Sequence, residues 1–111
     1  MEESDMAKYL FEGRYNAGGA KGIAREGGSA RRAAVVRMVE GLGGKVESFY
    51  FAFGDVDVYS VVDVPDTVTA AAIALAINQT GQVSVRTIVL IEPEDMDKVA
   101  KKTVDYRPPA G

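Results

Sequence analysis

The chain has 111 residues, 47% hydrophobic and 26% charged, with a net charge of −3 and a pI near 4.9. That is enough for one globular domain, and the acidic balance speaks against nucleic acid as a partner. Cysteine and histidine are both absent, which removes disulfides, thiolate nucleophiles, zinc fingers and His-dependent triads and leaves acid–base chemistry to Asp, Glu, Lys or Tyr.

The elements follow in chain order. The acidic opening Met1-Glu2-Glu3-Ser4-Asp5 lacks a signal-peptide layout, and residues 1–6 are expected to be a flexible N-terminus. Lys8 to Tyr15 predicts a strand with Tyr9, Phe11 and Tyr15 on one face. Asn16 to Gly28 holds five glycines and two basic residues, which predicts a weak helix or a loop. Ser29 then reads as an N-cap for a helix from Ala30 to Leu42, with Val35, Met38, Val39 and Leu42 at helical spacing and Gly43-Gly44 as the stop.

Lys45 to Phe53 and Asp57 to Val64 predict a hairpin around Gly54-Asp55. Pro65 ends the second of these strands and Asp66 caps a helix over Thr67 to Thr80, whose stripe is Val68, Ala71, Ala72, Leu75 and Ala76. Val83 to Ile91 predicts a fourth strand. Glu92 to Lys102 predicts a last helix with acids early and lysines late, as the helix dipole favours. Residues 103–111 read as an extended tail ending in Tyr106-Arg107-Pro108-Pro109, expected to dock on the domain or on a neighbouring subunit. The order β-α-β-β-α-β plus a terminal helix is a ferredoxin-like α+β sandwich with a four-stranded antiparallel sheet, in one domain spanning residues 1–111.

Three groups of residues invite a chemical reading. Gly28, Ser29, Arg31 and Arg32 form a glycine-rich helix entry with two guanidinium groups, a candidate anion site or a capped helix start with solvated arginines. Those arginines oppose the helix dipole, so a carboxylate or anion nearby would relieve them. Asp55 and Asp57 flank the hairpin turn and read as turn chemistry, so no metal site is expected. On the sheet face away from the helices, alternation places Glu12, Arg14, Ser48, Tyr50, Ser84 and Arg86, together with Ser60, among apolar neighbours. Such a mixed face suits either a wet interface or a cavity wall, with Arg14, Tyr50 and Arg86 as candidate ligand-binding residues. The run Ala70 to Ile77 carries no polar residue, more apolar surface than a one-sided helix needs.

Several separate segments resemble GYD-domain proteins: Tyr9 to Tyr15, Glu26 to Arg32, Phe51 to Asp57, Pro65-Asp66 and Tyr106 to Pro109. In the hairpin signature, Gly54 and Asp57 fit, while Val56 stands where the family has tyrosine. The resemblance implies kinship with dimeric α/β barrels, in which two ferredoxin-like sheets pack together. It implies no catalytic residues. The function expected is a homo-oligomeric binding module, a homodimer or larger, for a small anionic or aromatic molecule. The alternatives are a cofactor-independent enzyme and a structural self-assembly protein. No cofactor, nucleic-acid partner or membrane association is expected, and the expected location is cytoplasmic.

Overall fold

The structure, a computed structural model, describes residues 6–110; the first five residues of the expected flexible N-terminus lie outside them. The elements are β1 (Ala7–Tyr15), α1 (Ala17–Glu26), α2 (Gly28–Gly41), β2 (Lys45–Phe51), β3 (Val58–Val64), α3 (Thr67–Asn78), β4 (Val83–Leu90) and α4 (Pro93–Lys101). The strands form one sheet in the order β2-β3-β1-β4, with every pair antiparallel. This is the ferredoxin-like α+β arrangement, with α2 over β2 and α3 over β4.

Alternation divides the sheet into two faces. Tyr9, Phe11, Val62 and Val64 point toward the helices and bury against Val39, Ala70 and Ile73. The Tyr9 hydroxyl reaches Thr67 Oγ1 at 2.8 Å, so the ring's one polar atom is satisfied inside the core. The other face carries three cross-strand rows. One is Tyr50, Tyr59, Glu12, Arg86; the second is Ser48, Val61, Leu10, Ile88; the third is Lys45, Asp63, Lys8, Leu90. A register shift between Val46 and Ser48 brings Glu47 toward the third row, where Lys8 pairs with Glu47, with Asp63 at 2.9 Å and with Glu92 at 3.8 Å. Burial opposes the Lys8 charge, but the bonds and charges of Glu47 and Asp63 outweigh it, so its pKa lies above the ordinary lysine range.

The structure corrects the sequence reading at several places. Residues 17–26 are a full helix despite their glycines. Asn16 explains it: its side chain accepts from the Gly19 N–H at 2.9 Å and donates to the Gly81 carbonyl at 2.7 Å, capping α1 and tying it to the α3–β4 turn. Gly19 is required there, because a Cβ would stand 2.6 Å from the Gln82 carbonyl oxygen. Ser29 is not a cap; α2 starts at Gly28, two residues earlier than expected, after Gly27, whose φ of 86° reverses the chain between α1 and α2. Ser60 faces the helices, not away from them, and its hydroxyl donates to the Ser48 carbonyl at 2.9 Å.

The hairpin strands stop at Phe51 and restart at Val58, because Val56 turns inward and is buried. Asp66 caps α3 as expected: the Thr69 N–H and hydroxyl both donate to it and hold its carboxyl below the usual range. The buried side of α3, however, is Ala70 and Ile73 with Ala74 and Ile77, while Val68, Ala71, Ala72, Leu75 and Ala76 face out. Beyond β4, every residue from 91 to 110 is exposed, Tyr106 at 69%. The tail therefore does not dock on its own domain. The radius of gyration is 16.8 Å, against about 13 Å for a compact chain of this length.

Candidate functional site

The helices straddle the sheet without closing over its middle. α2 packs on β2 and α3 on β4, and between them lies a cavity of about 140 Å³. Its floor is Phe11, Phe49, Val58, Ser60, Val62 and Val85; its walls are Ala34, Val35, Met38 and Val39 of α2 and Ile73 and Ile77 of α3. The lining is apolar apart from three residues. Ser60 is already hydrogen-bonded to Ser48. The other two, Tyr15 and Arg31, are half-exposed and stand where the cavity meets solvent.

Local structure fixes both. Tyr15 ends β1, and its N–H donates to the Asp57 carboxylate at 2.8 Å, so the hairpin loop holds the strand end. The tyrosine hydroxyl makes no hydrogen bond with another described residue. Burial pushes its pKa up; Arg31 pulls it back, and Asp57 and Glu26 add to the rise, so it is a protonated donor at neutral pH. Arg31 lies in the first turn of α2. Its Nε donates to Glu26 Oε1 at 3.0 Å and a second guanidinium nitrogen donates to Glu26 Oε2 at 3.4 Å. Glu26 is the last residue of α1. An acid at a helix C-terminus and a base at a helix N-terminus are each disfavoured by the dipole; across the Gly27 reversal they relieve one another.

The residues expected from the sequence fall into two places. Arg31 lines the cavity, and Gly28 packs beside it against the Phe51 ring. Ser29 and Arg32 are exposed on the same helix entry and do not line the cavity. Arg14, Tyr50 and Arg86 lie on the opposite sheet face. Arg14 Nε donates to the Asp55 carbonyl at 2.6 Å, Tyr50 is 70% exposed, and Arg86 stands 3.9 Å from Glu12. None of the three lines the cavity. The sequence reading missed Tyr15 as a rim residue, although its place at the end of the predicted strand was readable.

The GYD domain family model matches residues 9–100, and the chain belongs to that family. No curated protein and no solved structure matches it. Among the described residues no helix is long and apolar enough to cross a membrane.

Proposed function

We propose that this protein is a homo-oligomeric module that binds a small molecule in the cavity between the sheet and helices α2 and α3. The observation that carries this reading is the cavity itself. Protein interiors are close-packed and hold few voids larger than a water molecule. An apolar space of about 140 Å³ beside a charged rim has the form of a ligand site, with an apolar body and few polar groups. Empty, it would be a standing loss of packing.

The oligomer follows from surface that one chain leaves uncovered. The open sheet face has an apolar middle row, Val61, Leu10 and Ile88, between two polar rows. The arm adds Ile91, Met96, Val99, Val104 and Tyr106, all exposed. A second copy on the sheet face would form the dimeric α/β barrel that the resemblance implies and would enclose Arg14, Tyr50 and Arg86. The exposed arm also favours the second reading, a self-assembly protein. The reading retains the cytoplasmic location.

The test combines titration and sedimentation. Methyl-labelled protein titrated with toluene should show saturable shifts at Val35, Ile73, Ile77 and Val85, and sedimentation at micromolar concentration should show at least a dimer. No saturable shift with an intact oligomer would leave self-assembly as the function. A species of 11.8 kDa alone would remove the oligomer.

A further inference from the structure

The rim and the cavity together narrow the ligand. We propose that the cavity takes a single-ring aromatic carboxylate, with the ring inside and the carboxylate on Arg31 in place of Glu26. This rests on the reading of the cavity as a ligand site.

Size sets the ring. Apolar protein cavities of about 150 Å³ bind benzene, and this one is about 140 Å³. A single ring matches that volume. Phe11 and Phe49 line it with aromatic rings, and no polar group inside is free to donate to a carboxylate, since the Ser60 hydroxyl already donates to the Ser48 carbonyl. The polar end of the ligand must therefore lie at the opening.

Charge sets that end. Arg31 presents two donors to Glu26 through Nε and a terminal nitrogen, at 3.0 and 3.4 Å. The guanidinium fork thus already holds a carboxylate in the geometry a ligand carboxylate would take. The Glu26 partnership is a weak competitor. Both side chains are more than a third exposed, where such pairs contribute little, and Glu26 sits at a helix end that repels it. A ligand anchored by its ring in the cavity presents its carboxylate to Arg31 at high local concentration. The Tyr15 hydroxyl, protonated and without a hydrogen-bond partner among the described residues, is a further donor at the same rim.

The experiment uses the full chain with benzoate, toluene and 1-naphthoate as probes, read by calorimetry and by methyl shifts. Benzoate should bind at least tenfold more tightly than toluene, and 1-naphthoate should not bind in the cavity. Arg31→Met should weaken benzoate at least tenfold while changing toluene less than twofold, and Arg32→Met should change neither. Glu26→Gln should tighten benzoate severalfold and leave toluene alone, an effect that a merely structural ion pair does not produce. Benzoate binding no tighter than toluene, or indifferent to Arg31→Met and Glu26→Gln, overturns this proposal and leaves the cavity reading standing. Binding of 1-naphthoate as tight as benzoate overturns the single-ring assignment. If neither toluene nor benzoate enters the cavity, the reading of the cavity as a ligand site fails with it.

Discussion

Filling the cavity from the inside should stabilise the protein and abolish binding together. Ala34 stands on the α2 wall and contributes only a methyl to the lining. The space it faces is about 140 Å³. Ala34→Leu places three more carbons in that space, a gain of about 2.4 kcal/mol at ~0.8 kcal/mol each. Imperfect fit removes about 1 kcal/mol of this, leaving about 1–2 kcal/mol. For a chain of this length that raises Tm by about 4–8 °C, at roughly 4 °C per kcal/mol. Val35→Ile adds one carbon to the same wall and should raise Tm by about 3 °C on the same scale. Calorimetric melts measure the first effect, and toluene and benzoate titrations the second. A Tm unchanged or lowered in both variants would mean that α2 and α3 already close on each other in solution, and the argument from empty volume would collapse.

Three further outcomes are expected. Deleting residues 104–111 should lower the sedimentation mass or weaken the assembly while leaving the far-ultraviolet spectrum unchanged, because residues 104–110 are all exposed and in no helix or strand; an unchanged assembly state would show that the arm serves no interface. Lys8→Met removes an ion-pair partner of the buried Asp63 carboxylate and should cost about 1–3 kcal/mol in urea unfolding at pH 7. Because the folded Lys8 pKa is raised, its contribution is complete below about pH 10.4 and is lost as pH rises through the folded value. An alkaline decline present in the native chain and missing in Lys8→Met checks the sign. Asp57→Ala removes the carboxylate that accepts from the Tyr15 N–H and should cost about 1.5–3 kcal/mol in the same assay; a cost near zero would mean that the hairpin does not hold the strand end.

Local chemistry was legible in the sequence and volume was not. Pro65-Asp66 announced the start of α3, since a cap needs only its own side chain and the N–H three residues on. The strand alternation of Tyr9 and Phe11 likewise placed one strand's share of the core. Ser60 was misplaced by its polarity, although Val58, Ser60, Val62 and Val64 share one parity and put it inside. In α3 the run Ala70 to Ile77 is apolar all round, so periodicity had no contrast from which to choose the buried side, and the outward stripe was taken for the core. Ser29 has the right side chain for a cap, but the positive φ at Gly27 had already started the helix. The cavity is what remains between α2 and α3 after both have packed on the sheet, and no residue type encodes it. Arg31 and Arg32, two arginines against the dipole in a first turn, marked the helix entry, and of the two Arg31 lines the cavity.

The family signature and the cavity meet at the end of β1. Asp57, the aspartate of the hairpin signature, accepts from the Tyr15 N–H at 2.8 Å and donates its own N–H to the Gly13 carbonyl at 2.9 Å. Gly13 and Tyr15 both line the cavity, whereas Asp57 does not. The signature carboxylate therefore acts on the cavity only through the strand it grips, as a positioning residue for the rim tyrosine. Val56, the residue before Asp57, is buried in the same loop. Gly13 completes the join, because a Cβ there would lie 2.7 Å from Val58 Cγ1 and push the hairpin off the strand. The hairpin thus places Tyr15 from one side of the opening. The α1–α2 reversal at Gly27 places Arg31 from the other, and the opening of the cavity depends on these two turns as much as on the residues that line it.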